Sequence, residues 1–495
     1  MGAGESAAPS GLQAADLVFH WARRVPDKAA IVSDGRVFSY RGLAHRIAQA
    51  RAHFSRQGLG GPGTAVVAVA DLASFWILSL ALRSLGLTTI QPRPGEPFDA
   101  LDLPDARCVV GSNAEQWPDL ERMNATAGLP VLVAAVDDEA PLWPFAAGPA
   151  PAGGHILQTS GTTGLQKKVL MAPSFEPAYI RYRRAVMDIP HESVGALFDF
   201  AAWTGAGYKG VVSSLTAGAT VVIDQRPDRH AALLRYPGVT YAVIVPTMAR
   251  AILNAPLEVL PFNPGLQIQI AGGALSLREI EALKARVTPH LFNSFGSTEA
   301  RPTAFTPMLT AEDYRWHRLV PGRGVEVVDD QDRPLPAGQI GRLRVTTTDG
   351  PTGYLNDEAA THAFFRDGYF YPGDLAVIRE DGRMALHGRV TDVINQKGQK
   401  ILPAPIEDRL RDIFEVSGVC LFSMQNAAGE EEIHVIIETA RAIAPDRLAE
   451  ALNRELPGFP GAHVHFAPAL PRNPMGKVLR LAAREQALAA ARARA

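Results

Sequence analysis

Residues 159–168 have the sequence Thr-Ser-Gly-Thr-Thr-Gly-Leu-Gln-Lys-Lys, which combines four hydroxyl side chains, two glycines and two lysines. Glycine lets the backbone approach an anion closely, hydroxyl and N–H groups donate hydrogen bonds to phosphate oxygens, and lysine supplies positive charge. The GxxxxGK[ST] order of a Walker A loop is absent. A loop of similar composition could be a plain surface turn, but this order of residues is rare. It indicates a phosphate-binding loop.

The composition is typical of a globular protein with several domains. The chain has 495 residues, 47% of them hydrophobic, and its 49 Lys+Arg nearly balance 51 Asp+Glu. A net charge of −2 argues against a nucleic-acid partner, which would favour a basic excess. Two cysteines exclude a disulfide framework or a Cys-rich metal site. The 13 histidines contain no HExxH motif, so a zinc enzyme is not expected.

The sequence predicts a cytoplasmic protein without a membrane partner. Its first residues lack a basic region followed by an apolar run, as a secretory signal would have. The most apolar stretch, Leu72–Leu82, is about half of the ~20 residues that a membrane span needs. We therefore expect a buried helix there.

Apolar β-type runs alternate with helical patterns along most of the chain. The runs 220–223, 241–245 and 266–270 are of this kind, and a helical pattern over 276–286 follows the last of them. This alternation predicts an α/β fold with largely parallel sheets. After about residue 320, short segments separated by turn clusters predict a small β-rich subdomain. From Arg389 onward, a compact α+β unit is expected.

Five segments in register resemble the adenylate-forming superfamily of acyl-CoA synthetases, firefly luciferase and nonribosomal peptide adenylation domains. The resemblance covers roughly residues 14–480 and implies activation of a carboxylic acid with ATP. The first segment is the hydroxyl-rich loop. The resemblance assigns nucleotide binding there to Thr159, Ser160, Gly161, Thr162, Thr163, Gly164 and Lys167.

The second segment, Asn-Ser-Phe-Gly-Ser-Thr-Glu at 293–299, is similar to the family's [NY]-x-YG-x-TE. The resemblance implies that Phe295 lies against adenine, Thr298 contacts phosphate and Glu299 helps to hold Mg²⁺, a hard cation that prefers carboxylate oxygen. The segment also includes the nucleotide-binding candidates Asn293 and Gly296. The preceding Ala-Gly-Gly-Ala at 271–274 resembles a loop that lines the adenine and acyl pocket; its candidates are Gly272, Gly273 and Ala274.

The third and fourth segments imply ribose contacts by Asp374, in Tyr-Pro-Gly-Asp-Leu at 371–375, and by Arg389. A carboxylate can accept both ribose hydroxyls. Thr391 stands at the family's hinge position, where Asp or Lys is usual. Asn395 stands where Lys is frequent. Acetyl-CoA-synthetase-like members also carry Asn there, so thioester formation is not excluded.

The fifth segment, Pro-Arg-Asn-Pro-Met-Gly-Lys at 471–477, resembles PR-x-x-x-GK. In the family its lysine, here Lys477, contacts the acyl carboxylate and the α-phosphate. A flexible ammonium suits a transition state that gains negative charge on phosphate oxygens.

The acid pocket is less defined. The segment Ala196–Gly205 resembles one wall of the acid site in its acetyl-CoA-synthetase-like form, with Phe198, Asp199 and Trp203 as candidates beside Gly273 and Gly296. Amino-acid-activating domains place an Asp like Asp199 against the substrate ammonium, but the spacing that follows is longer here. Glycine at 296 leaves room for a larger acid. We expect an uncharged aryl or medium-chain acid.

The resemblance thus predicts an acid:CoA ligase whose catalytic residues are Lys477, Glu299 and Thr163, with ATP, Mg²⁺ and CoA as cofactors. It implies a large N-terminal domain of αβαβα-type packed sheets with a β-rich subdomain, residues 1–388. A small mobile α+β domain, 389–495, would follow a hinge near Thr391. One alternative is an adenylating enzyme that loads a separate carrier protein or an amine. A less favoured one is a non-catalytic nucleotide-binding relative. A monomer or a homodimer is expected.

Overall fold

The computed structural model describes most of the chain: residues 13–112, 128–134, 152–159, 166–198, 200–224, 230–256, 258, 260, 262–348, 350–396, 399–425, 431–457, 461–473 and 476–492. The chain separates into two compact units. Unit 1 comprises residues 1–243, 296–302 and 347–370, and unit 2 comprises 244–295, 303–346 and 371–495.

The helices of the described residues are α1 Ala14–Arg24, α2 Tyr40–Arg56, α3 Leu72–Arg83, α4 Glu176–Met187, α5 Gly205–Ala217, α6 His230–Leu234, α7 Pro246–Asn254, α8 Leu277–Arg286, α9 Glu358–Phe364, α10 Pro403–Phe414, α11 Pro445–Glu455 and α12 Arg480–Arg492.

The first strands are β1 Ala29–Ser33, β2 Arg36–Ser39, β3 Thr64–Val67, β4 Thr88–Ile90, β5 Ala106–Ser112, β6 Val131–Ala134, β7 His155–Thr159, β8 Lys167–Met171, β9 Val194–Leu197, β10 Thr220–Ile223, β11 Tyr241–Ile244, β12 Gln267–Ile270 and β13 His290–Ser297. The later strands are β14 Arg301–Pro307, β15 His317–Arg318, β16 Val325–Val328, β17 Gly341–Thr346, β18 Phe365–Arg366, β19 Tyr369–Phe370, β20 Asp374–Ile378, β21 Arg383–Arg389, β22 Ile394–Gln396, β23 Gln399–Ile401, β24 Gly418–Gln425, β25 Glu431–Glu438 and β26 His463–Ala467.

Unit 1 contains two mostly parallel sheets. One has the strand order β6-β5-β3-β4-β7-β8, in which only β7 and β8 pair antiparallel. The other contains β11-β9-β10-β1-β2, parallel except for the β1–β2 hairpin. Parallel strands need both faces covered, and the helices between them supply that cover. The predicted alternation of strands and helices is confirmed.

The apolar helix α3 is buried along its whole length, as predicted. Asp71 caps its first turn by accepting a hydrogen bond from the Ser74 N–H at 2.9 Å. At its other end the buried Arg83 donates to the Tyr208 hydroxyl at 2.8 Å and forms an ion pair with the equally buried Glu176. A buried charge needs such partners. Within the described part of the chain, every helix is too short or too polar to span a lipid bilayer.

Unit 2 contains the predicted β-rich region. Strand β16 pairs antiparallel with β17, β17 with β20, and β20 with β21. The unit also holds β12–β14, among which β12 and β13 run parallel.

Toward the C-terminus the sheet β24-β25-β26 is covered on both faces. Leu421 and Val435 pack with Leu410 of α10 on one face, and Phe422 and Ile436 pack with residues of α12 on the other. The predicted α/β class with an α+β C-terminal part is therefore confirmed. The boundary at residue 388, the hinge near Thr391 and the mobility of residues 389–495 lie within unit 2 and stay predictions.

Candidate active site

In unit 1, Glu299 lies in a turn that follows β13 and is buried. Only 6% of Glu299 and 9% of Thr298 are exposed. The Tyr354 hydroxyl donates a hydrogen bond to Glu299 Oε1 at 3.0 Å. This position differs from an exposed helix N-terminus, where a lone glutamate after threonine is common. A buried carboxylate held by one hydroxyl keeps oxygen lone pairs for a cation, and the neighbouring Thr298 adds a hydroxyl.

Two buried side chains support this turn from helices α4 and α5. The Tyr179 hydroxyl donates to the Thr298 carbonyl oxygen at 3.4 Å, and Lys209 Nζ donates to the Tyr179 hydroxyl at 3.1 Å. Gly205 lets them approach, because a Cβ there would lie 2.4 Å from Thr298 Oγ1 and 3.3 Å from Lys209 Nζ. Any larger residue at 205 would displace the turn.

Lys209 is an unusual group for a protein interior. Burial and then the charge of Arg183 lower the pKa of Lys209 to about 7, although the Glu299 carboxylate raises it.

The sequence analysis did not predict a role for Lys209, Tyr179 or Tyr354. For Lys209 a signal existed, because it is the sole charged residue of α5. A single charge in an otherwise apolar and small-residue helix is typical of a partnered interior group.

The described part of the predicted phosphate loop begins and ends on paired strands. Thr159 at the end of β7 faces Lys167 at the start of β8, and its hydroxyl donates to the Lys167 carbonyl oxygen at 3.4 Å. Lys167 Nζ lies 3.5 Å from the ring centroid of Phe364 and 5.2 Å from that of Tyr354. This cation–π contact links the loop's lysine to the tyrosine that binds Glu299. The other predicted loop residues, Ser160, Gly161, Thr162, Thr163 and Gly164, lie outside the described residues.

The predicted acid-pocket residues occupy different environments. Phe198 is completely buried, whereas Trp203 is half-buried and packs on the cluster around Val66 and Ile90. Gly296 is exposed. Asp199 lies outside the described residues. The contribution of each of them to acid binding stays a prediction.

In unit 2, the two predicted ribose residues form one ion pair. Asp374 on β20 faces Arg389 on β21, and Arg389 Nε lies 3.2 Å from Asp374 Oδ1. Arg389 also donates to the Pro372 carbonyl oxygen. Burial raises the pKa of Asp374, while Arg389 and Lys477 lower it. The pair holds a carboxylate in a fixed orientation at the end of a strand.

A tight turn presents Lys477. Asn473 closes it: its carbonyl oxygen accepts from the Gly476 N–H at 2.8 Å and its side chain accepts from the Lys477 N–H at 2.9 Å. Gly476 has φ +83°, a conformation that favours glycine. Arg472 donates to the Gly476 carbonyl oxygen at 3.0 Å and forms an ion pair with Glu438. Arg472 therefore connects the turn to the end of β25.

The turn also packs against the start of α7. A Cβ at Gly476 would lie 3.2 Å from the Thr247 backbone nitrogen, and one at Gly273 would lie 3.0 Å from Pro246 Cγ. The exposed loop Gly272–Ala274 and the Lys477 turn thus contact the same helix end.

The predicted catalytic lysine interacts with both ribose residues. Lys477 is solvent-exposed, yet burial of its ammonium and the charge of Arg389 lower its pKa, while Asp374 and then Asp392 raise it. Unit 2 therefore brings together Asp374, Arg389 and Lys477, three residues that are far apart in the sequence.

Elsewhere in unit 2, Asn293 faces Ile270 across β12 and β13. The half-buried Phe295 lies 6.5 Å from His317 between ring centroids.

Known proteins resemble the chain over nearly its full length. A family model described as AMP-binding enzyme matches residues 18–355. Novobiocin biosynthesis protein H of Streptomyces niveus is 28% identical over 94% of this chain and 82% of its own. Salicyl-AMP ligase / salicyl-S-ArCP synthetase of Mycobacterium tuberculosis is 26% identical over 92% of this chain and 87% of its own. ATP-bound MatB from Rhodopseudomonas palustris has the same fold, with a TM-score of 0.80 at 21% identity over 95% of this chain and 98% of that one.

Replacing Lys209 by methionine should remove a pH dependence of folding. Lysine in an unfolded chain has a pKa near ~10.4, so between about pH 7 and that value the unfolded state binds more protons than the folded one. The free energy of unfolding of the wild type should therefore rise with pH there, by up to about 1.4 kcal/mol per pH unit. Urea denaturation at about pH 7 and about pH 9 checks this against the variant.

Lys284→Met is the control, because the half-buried Lys284 of α8 pairs with Glu281 and Tyr314 and does not contact Lys209 or Glu299. Equal pH slopes in the wild type and Lys209→Met would contradict the expected protonation of Lys209.

Proposed function

This chain belongs to the AMP-binding enzyme family, within the adenylate-forming superfamily, and on that premise we propose that it joins an aryl or medium-chain carboxylic acid to CoA. Activation of the acid uses ATP and yields an acyl-adenylate. The observation that carries the proposal is the Asp374–Arg389 ion pair, whose two charges act on the Lys477 ammonium. A fixed carboxylate suits two ribose hydroxyls, and a mobile ammonium suits the reacting phosphate.

In the first half-reaction, a carboxylate oxygen of the acid attacks the α-phosphorus of ATP and pyrophosphate leaves. Negative charge builds on the phosphate oxygens as the new bond forms. Lys477 stabilises that charge, and Asp374, oriented by Arg389, holds the ribose. In such a reaction the protein contributes mainly positioning and electrostatic stabilisation.

The residues around Glu299 fit a Mg²⁺ ion. The donors are a buried carboxylate, whose orientation Tyr354 fixes, and the Thr298 hydroxyl. Oxygen ligands of this kind suit a hard divalent cation. When bound, the ion would neutralise charge on the polyphosphate. Tyr179 and Lys209 hold the backbone that carries both donors.

In the second half-reaction, the CoA thiolate attacks the carbonyl carbon of the mixed anhydride and AMP leaves. Rotation of residues 389–495 about Thr391 would remove Lys477 and admit the thiol. In support, Thr391 lies in an exposed single turn, Val390–Asp392, directly after β21. The resemblance of Ala196–Gly205 to the acetyl-CoA-synthetase form favours CoA as the acceptor.

A carrier protein is the second candidate acceptor. The name of the mycobacterial relative, salicyl-AMP ligase / salicyl-S-ArCP synthetase, favours it. Both proposed functions share the first half-reaction. They differ in the molecule that carries the thiol, which is CoA in the first and a carrier protein in the second.

A pyrophosphate-release screen over carboxylic acids tests the proposal. Turnover should require an acid and Mg²⁺ and should yield AMP, because attack occurs at the α-phosphorus. Each active acid is then assayed with CoA and with a phosphopantetheine-bearing carrier protein. Acceleration by CoA supports the proposed acceptor, and acceleration by the carrier alone would transfer support to the second candidate. ADP as the nucleotide product would overturn both.

Lys477→Ala should slow the first half-reaction far more than the second. Removing one positioned charge from a transition state costs about 10²–10³ in rate. The second half-reaction, started from synthetic acyl-AMP and CoA, should fall by less than about tenfold if rotation carries Lys477 away. Both steps are measured on the same variant, with Lys284→Ala as the control for loss of a lysine elsewhere in unit 2. Equal losses in a folded protein would refute domain alternation.

Gly296→Trp should shift the substrate preference toward shorter acids. The exposed glycine follows Phe295 directly, and an indole there would fill the space proposed for the distal part of the acid. Activity on the preferred acid should fall, and activity on acetate or propionate should rise relative to it. kcat/KM for the series of acids gives the readout. If the relative kcat/KM values of the acids did not change, the acid pocket would lie away from residue 296.

A further inference from the structure

Strands β25 and β26 bring three histidines and one glutamate onto one face of the C-terminal sheet. The strands are parallel neighbours, with His434 opposite His463 and Ile436 opposite His465. Glu432 precedes His434 by two residues. Because alternate residues of a strand point to the same face, all four polar side chains share a face.

His434 is the buried centre of this group. It is 6% exposed, and Phe422 stacks on it at 5.4 Å between ring centroids. His434 Nδ1 lies 2.9 Å from His465 Nε2, within hydrogen-bond distance. His434 Nε2 is buried and has no hydrogen-bond partner among the described residues. A buried polar atom without a partner is costly, so its presence needs an explanation.

The other two side chains converge on the same place. His463 Nε2 lies 3.1 Å from Glu432 Oε2. One ligand atom from each of Glu432, His434 and His463 lies within 4.8 Å of the other two. We propose that these three residues form a structural Zn²⁺ site, with His434 Nε2 as the buried ligand and His465 as the residue that orients His434.

The donor chemistry selects the ion. Two imidazoles and one carboxylate suit Zn²⁺, and a water would complete four-coordinate tetrahedral geometry. Imidazole is a poor ligand for Mg²⁺, so the nucleotide's cation does not compete. His465 lies within hydrogen-bond distance of His434 Nδ1 and would fix the orientation of the ligating ring, as neighbours of metal-bound histidines commonly do.

Binding of the ion requires the two outer ligands to reorient, because the His463 ring stacks on that of His434 with 4.7 Å between centroids and 18° between planes. Ligand atoms in a tetrahedral zinc site lie about 3.3 Å apart, given bonds of ~2.0–2.1 Å. His463 is exposed and Glu432 is half-buried, so rotamer changes of these two can close the remaining gap onto a fixed His434.

Local charge is compatible with a cation. Arg484 on α12 adds positive charge nearby, and the Glu432 carboxylate offsets it. The ion would clamp β25 to β26, the strand that precedes the Lys477 turn. Its effect would therefore be on the stability of the C-terminal sheet.

Zinc binding is measured on the full-length protein, free of any affinity tag and treated with a chelator. ZnCl₂ is titrated in competition with a chromophoric chelator, and thermal unfolding is followed with and without the metal. We expect one Zn²⁺ per chain and a rise in Tm on zinc addition. His463→Ala and Glu432→Gln should lose both effects, and His465→Gln should weaken binding about 10- to 100-fold.

His290→Ala is the matched control, because His290 is exposed in unit 2 and lies outside the cluster. It should bind zinc as the wild type does. The choice of the exposed His463 and half-buried Glu432 avoids disturbing the core at His434. Zinc binding of equal stoichiometry and affinity in the wild type and His463→Ala, or no zinc-dependent change in Tm in the wild type, would overturn the proposal.

Discussion

The burial of the Glu299 carboxylate is the constraint on which the candidate site in unit 1 depends. A carboxylate removed from water is costly unless hydrogen bonds and opposite charge compensate it. Here Tyr354 donates to it directly, and the Lys209 ammonium attracts it from within α5. The glycine at 205 is required by the same arrangement, since a side chain there would separate Thr298 from Lys209.

In unit 2, too, a carboxylate is held by groups of opposite charge. Asp374 is held by Arg389 across two antiparallel strands, and Lys477 reaches this pair from a turn that Asn473 and Arg472 stabilise. Opposite charges at short range lower the cost of burial and also set directions for hydrogen bonding to a ligand. In each unit a carboxylate is therefore fixed by basic or hydroxyl groups before any nucleotide arrives.

The sequence predicted those parts that depend on local pattern. The strand 220–223 and the buried helix at 72–82 follow from apolar runs. The motifs also supply Asp374, Arg389 and Lys477, whose roles stay predictions. Tyr354 could not be found in this way, because its importance arises from a tertiary contact with Glu299. Lys209 is marked in the sequence only as the sole charged residue of α5, and its role arises from its hydrogen bond to Tyr179. No motif of fixed spacing predicts the His434 cluster, because its proposed ligands lie on two different strands. His434 on β25 pairs with His463 on β26, which lies 29 residues later in the sequence.

The central claim is that the acid's own oxygen attacks the α-phosphorus of ATP. A direct measurement uses an active acid labelled with ¹⁸O in both carboxylate oxygens and determines the mass of the AMP formed in one turnover with the thiol. When the thiol attacks the carbonyl carbon, the bridging oxygen leaves with AMP. AMP should therefore gain one ¹⁸O atom. Unlabelled AMP would show that the carboxylate is not the nucleophile.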